Sequence, residues 1–327
     1  MHFEVDAMRP MDLDPTYVPY LEQLIAGRTV PTHLEDVAVR RARVAKARRS
    51  ADTPPPENVA IETMEISAGD HSIPVRVYRP LSQSPGQQLP AIVYFHGGGW
   101  MYGSAEQSDP MSVAYCHEVG AVVISPDYRL SPEHPFPAGF DDCYRTLCWV
   151  AEQASSLGID PNRLAVTGES SGGNLAAACA IESRDTGGPP LRLQVLNYPA
   201  TDANFDTDSY RENAEAPVLS ATEMEYFWRA YLPDALDTSD PRAVPLRASS
   251  FAGLAPAHVV AAEYDPLRDD GIKYAERLQA DGTPVTLTHA QRLPHGFMRA
   301  LAVSDDVQTI VDEIIDAFRR ALRPGGQ

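Results

Sequence analysis

Lysine is almost missing from this chain. Lys46 and Lys273 are the only two, so all but two of its 27 basic residues are arginines. Against these stand 45 acidic residues, which gives a formal net charge of −18. A field of that sign repels phosphate backbones at long range, which excludes general nucleic-acid binding. Cysteine is scarce too. Cys116, Cys143, Cys148 and Cys179 form no CxxC or Cys/His ligand spacing. They read as reduced, buried small apolar residues, and nothing calls for a metal or another cofactor. No apolar run approaches the ~20 residues that cross a bilayer, so no membrane span is expected. The start, Met1-His2-Phe3-Glu4-Val5-Asp6, has neither the basic residues nor the apolar stretch of a secretory signal, and a cytoplasmic protein is expected. With 43% hydrophobic and 22% charged residues, and no low-complexity tract or internal repeat, the disordered, collagen-like and coiled-coil classes are excluded.

What is present is an alternation of short apolar runs with segments of helical length. Residues 1 to about 50 read as helical, broken at Val30-Pro31-Thr32 and ended by Pro54-Pro55-Pro56. Six basic residues between Arg40 and Arg49 lie among apolar ones, as on the solvated face of a packed helix. Val59–Ile66 and Ile73–Val77 alternate with period two about Gly69-Asp70 and predict a strand pair; Pro74 places the second strand at an edge or a bulge. Runs at Ala91–Phe95, Ala121–Ser125, Leu164–Thr167, Leu191–Tyr198, Ala257–Ala262 and Val285–Thr288 are too short for helices. Helical segments such as Asp141–Gln153, Asn174–Ile181 and Gly271–Ala280 lie between them, so the fold class is α/β, a mainly parallel sheet flanked by helices. A last helix over Asp305–Leu322 carries a core-facing apolar stripe. Residues 203–250 break the alternation, with acids, prolines and the aromatic group Tyr226, Phe227, Trp228 and Tyr231, and read as an insertion over the carboxyl edge of the sheet.

Ligands in such folds bind beyond the carboxyl ends of the strands. There stands Gly168-Glu169-Ser170-Ser171-Gly172, between an apolar run and a helix-forming one. By itself the pattern also fits an ordinary Gly/Ser loop. Between a strand and a helix it describes a strained turn that holds a serine oxygen at a helix N-terminus. A serine hydroxyl needs a base and a group to orient that base. Asp265 and His295 each follow a short strand, and the order Ser170, Asp265, His295 is that of an α/β-hydrolase triad; of nine histidines only His295 holds the right slot. His96-Gly97-Gly98-Gly99-Trp100 follows another strand, and three glycines let backbone N–H groups approach a reacting carbonyl. No Lys-Ser/Thr follows them, which sets aside a phosphate loop.

His96–Trp100, the segment Asp127–Ala138, Gly168–Gly173, Asp265–Asp269 and His295-Gly296-Phe297 together resemble the hormone-sensitive-lipase family of α/β-hydrolase esterases. The resemblance implies Ser170 as nucleophile, His295 as general base and acid, Asp265 as its orienting carboxylate, and the N–H groups of Gly98, Gly99 and Ser171 as the oxyanion hole. It also implies a helical cap made of residues 1–50 and 203–250 over a catalytic core of 51–202 and 251–327. Two elbow positions depart from the family's commoner Asp and Ala, namely Glu169 and Ser171. Asn197 stands where an apolar residue is usual and is read as serving a neighbouring loop; Asp127 and Arg129 are read as braces of the glycine loop. Trp100 and Tyr198 are candidate pocket walls.

The expected function is a serine carboxylesterase for small-molecule esters of short to medium acyl chains. An amidase, formamidase or peptidase on the same triad is the alternative. A non-catalytic small-molecule receptor is disfavoured by the intact His295, and a homo-oligomer is left open.

Overall fold

The computed structural model describes residues 11–27, 30–49, 57–84 and 86–325. The first ten residues, Pro54-Pro55-Pro56 and the side chains of Lys46, Arg48 and Arg49 lie outside the described residues. Eight strands among the described residues, β1 (Val59–Ser67), β2 (Ser72–Pro80), β3 (Leu89–Phe95), β4 (Val122–Pro126), β5 (Ile159–Glu169), β6 (Leu191–Asn197), β7 (Ala257–Tyr264) and β8 (Val285–Pro294), form one sheet in the order β1-β2-β4-β3-β5-β6-β7-β8. β1 and β2 run antiparallel to their neighbours, and β4, β3 and β5 through β8 are parallel.

The edge of the sheet is β1, not the Pro74 strand. Pro74 pairs with Glu65 of β1 and its carbonyl accepts the N–H of Asp127 just past β4. In a strand the N–H and C=O of one residue point the same way. The donor that proline lacks therefore faces the end of β4, beyond the last ladder pair Val75–Pro126, where no bond is lost.

The helices are α1 (Val18–Ala26), α2 (Val37–Arg49), α3 (Asp109–Val119), α4 (Ala138–Glu152), α5 (Ser171–Thr186), α6 (Asp208–Glu212), α7 (Ala221–Tyr231), α8 (Arg268–Ala280) and α9 (Asp305–Ala321). Successive residues of the central strands feed opposite faces, as the two-residue period requires. Val93, Val166 and Val259 pack with Phe140, Leu147, Leu175 and Tyr274 of α4, α5 and α8. Ile92, Ala165 and Val260 pack with Tyr115 of α3 and Ile314 and Phe318 of α9. β3 is buried along its whole length, as a central parallel strand must be. The stripe read in the last helix is this second core.

Phe318 is fully buried, with its ring 5.2 Å from that of Tyr115 in an edge-on pair. Replacing it with alanine should cost about 3–5 kcal/mol. Urea unfolding will show this as a lower midpoint, and a loss under about 1 kcal/mol would mean that this core collapses around the gap.

Above the carboxyl ends of the strands, α7 begins with a capping box: the Ser220 hydroxyl accepts the Glu223 N–H while the Glu223 carboxylate accepts the Ser220 N–H. The other Glu223 oxygen accepts the Thr32 N–H at 3.2 Å, which ties the segment before α2 to α7. Arg41 of α2 adds a bidentate pair with Glu133 and bonds to the carbonyls of Met101 and Ser131. The segment from 203 to 250 contains α6 and α7 and no strand, as its composition predicts.

Candidate active site

The β5–α5 connection is a sharp elbow. Ser170 sits at φ 57°, ψ −117°, a region that L residues avoid, and its N–H is held by the Asn197 carbonyl at 2.9 Å. The elbow also demands close approach. A Cβ at Gly172 would lie 2.0 Å from the Phe95 carbonyl oxygen, so only glycine lets α5 start against β3. Asn197 thus serves the elbow through its backbone, as any residue could, and its side chain does not line the cleft.

His295 lies at the end of the chain that leaves β8, and Asp265 at the end of β7. The His295 ring is 3.0 Å from the Ser170 Oγ through Nε2 and 2.6 Å from the Asp265 Oδ2 through Nδ1. The second Asp265 oxygen accepts the Leu267 N–H at 2.8 Å, and the Asn213 amide bonds to its carbonyl at 3.2 Å. Asp265 is wholly buried, whereas Ser170 and His295 keep a small opening to the cleft. The three residues read from chain order are therefore one hydrogen-bonded line.

Gly98 and Gly99 form the opposite lip. Among the described residues no acceptor takes the N–H of either. Gly99 has φ +62°, and a Cβ there would fall 2.4 Å from the Phe227 ring. The loop is braced from behind by Tyr128, whose hydroxyl donates to the His96 carbonyl at 2.8 Å and whose ring stacks on the His96 imidazole. This corrects the sequence reading for Arg129, which forks onto Asp142 of α4, while Asp127 accepts the Ala105 N–H. Ser171 is fully buried as the first residue of α5.

The cleft is a cavity of about 120 Å³. Its floor is Gly97–Gly99, Ser170, Tyr198 and His295, and its walls include Val44, Tyr102, Leu219 and Phe227. Tyr198 lines the cleft, on its floor rather than as the wall the sequence suggested. Trp100 does not line it: it is buried between Trp228 and Tyr231, its ring stacked 4.4 Å from that of Tyr231, and it fastens α7 to the body. Residues 226–231 supplied the sequence signal for that cluster, but not that Phe227 alone of them turns to the cleft. Arg40, read in the sequence as part of a solvated helix face, also lines it, as does Arg299, which had no signal in the sequence. Arg40 lies 5.0 Å over the Tyr102 ring. Burial, and next the Glu169 carboxylate, push the Tyr198 phenol far up, so it stays a hydrogen-bond donor.

Comparison with known proteins agrees with this geometry. The α/β-hydrolase fold family matches residues 92–299. The chain is 40% identical over 313 residues to carboxylesterase NlhH of Mycobacterium tuberculosis, covering 94% of this chain and 97% of that protein. It is 35% identical over 321 residues to an ethyl acetate hydrolase of Pseudomonas putida, covering 95% and 100% respectively. The crystal structure of a thermostable esterase from Pseudomonas putida superposes with a TM-score of 0.90 at 33% identity, over 97% of this chain and 99% of that one. The chain belongs to the hormone-sensitive-lipase family of α/β-hydrolases.

Proposed function

We propose that this carboxylic ester hydrolase is a serine carboxylesterase that cleaves small esters of short- to medium-chain acids through an acyl-enzyme. The observation that carries the reading is the unbroken line from the Ser170 Oγ through His295 to Asp265 at the floor of the cleft. The Ser170 oxygen attacks the ester carbonyl as His295 Nε2 takes its proton, and the Gly98, Gly99 and Ser171 N–H groups receive the oxyanion. His295 then protonates the leaving alkoxide. It next draws a proton from water, which attacks the acyl-enzyme, and passes that proton to the Ser170 oxygen as the acyl–oxygen bond breaks and the acid leaves. Residues 1–50 and 203–250 act as a two-part cap that keeps bulk water from this step.

The space in the cleft supports a short acyl chain. A cavity of about 120 Å³ is well below the ~300 Å³ at which sites for drug-sized ligands begin. Phe227 and Leu219 wall it with apolar surface. One relative carries the name ethyl acetate hydrolase, which agrees with a small acyl group. On a panel of p-nitrophenyl esters, kcat/KM should be highest among acetyl to hexanoyl and fall steeply beyond. A maximum at palmitoyl would overturn the preference. Faster cleavage of a matched anilide than of the ester would favour the amidase alternative.

A further inference from the structure

Next to the nucleophile lies a carboxylate that the triad chemistry leaves unused. Glu169 is buried, and it accepts hydrogen bonds from the hydroxyls of Tyr94 in β3 and Tyr198 after β6, the latter at 2.9 Å. No cation among the described residues forms an ion pair with it. A buried carboxylate held only by phenols is costly, so the fold keeps it against a penalty.

Its second phenol touches the catalytic line. The Tyr198 ring meets the His295 imidazole edge-on, centroids 4.9 Å apart, and meets the Phe297 ring at 5.3 Å. Tyr198 is itself held in an unfavourable backbone state, φ +38°, with its N–H bonded to the Val260 carbonyl at 2.7 Å. A tyrosine in that state has its ring direction set at both ends, by β7 through the backbone and by Glu169 through the hydroxyl.

We propose that Glu169 is a positioning residue for the general base: it fixes Tyr198 against His295 so that Nε2 faces the Ser170 Oγ. The charged and titratable groups facing Glu169 are Tyr20 of α1, Tyr94 of β3, Tyr115 of α3, Tyr198, and Arg299 beyond His295. Arg299 is the one cation among them, and it lines the cleft together with Glu169. This inference rests on Ser170 and His295 being nucleophile and base.

Two substitutions test the anchor from its two ends. Tyr198→Phe keeps the ring but removes the hydroxyl, and should lower kcat about tenfold at unchanged KM. Glu169→Gln keeps the shape, but its amide accepts from one phenol and turns a donor to the other, so the anchor weakens and kcat should fall about tenfold, again at unchanged KM. If Glu169→Gln fails to fold, Tyr198→Phe alone decides. Tyr198→Phe or a folded Glu169→Gln within twofold of wild-type kcat overturns the proposal while wild-type esterase activity stands. A wild-type protein inert to esters and to fluorophosphonate would instead overturn the esterase reading.

Discussion

Replacing Ser170 with alanine should lower kcat on a short-chain p-nitrophenyl ester by about 10⁶, because in serine hydrolases the nucleophile and its base act as a unit. The fold should survive. The side chain at 170 is small and makes its one bond to His295, while the strained turn is imposed from outside by the Asn197 carbonyl and by the close contact of Gly172 with Phe95. Alanine suffers no more at φ 57° than serine does. The variant should keep its urea midpoint, bind substrate with little change, and lose fluorophosphonate labelling altogether. A residual rate of about 10³–10⁴ over water is expected from the oxyanion donors and from binding. Retention of most of the activity would place the nucleophile elsewhere.

Asp265→Asn should cost about 10⁴ in kcat at neutral pH, with the geometry nearly unchanged. The reason lies in the two bonds of this carboxylate. Oδ1 accepts the Leu267 N–H, so an asparagine would keep its oxygen there and turn its amide nitrogen to His295. A donor at that place forces Nδ1 to be an acceptor. The ring proton then sits on Nε2, which can no longer take the proton of Ser170. Because the bonds are exchanged and not lost, thermal stability should change little, and this separates a tautomer effect from a folding defect. A loss smaller than about tenfold would mean that His295 is oriented by other contacts.

Much of the hydrogen-bonded line was legible in the sequence. Ser170, Asp265 and His295 could be picked out because each follows a short apolar run, and strand ends are where this topology gathers chemistry. The glycine run at 97–99 was legible for the same reason. Where the reading failed, it asked a local pattern for a direction in space. Trp100 follows the glycines in sequence, but a residue at φ 56° points away from its neighbours, and its ring turns under α7. Arg129 looked like a brace for the glycine loop because it stands near the prolines. The residue before it, Tyr128, makes that bond, and Asp142 of α4 claims the guanidinium. Pro74 excluded an interior strand only if its missing donor had a partner, and the register denies it one.

The sequence by itself determined the class of the sheet, the order of the strands' active ends and the three residues that form the line, since periodicity and chain order are local properties. The acidic excess set the long-range field, again a sum over residues. Only the tertiary structure decided what surrounds the line: which aromatic of residues 226–231 walls the cleft, that Arg40 and Arg299 reach it, and that Glu169 is held by two phenols, one in β3 and one just past β6. These facts depend on distances between segments as far apart as α2 and the end of β8. No local pattern encodes such distances; they are fixed when both faces of the sheet bury their apolar side chains and the carboxyl ends come into register.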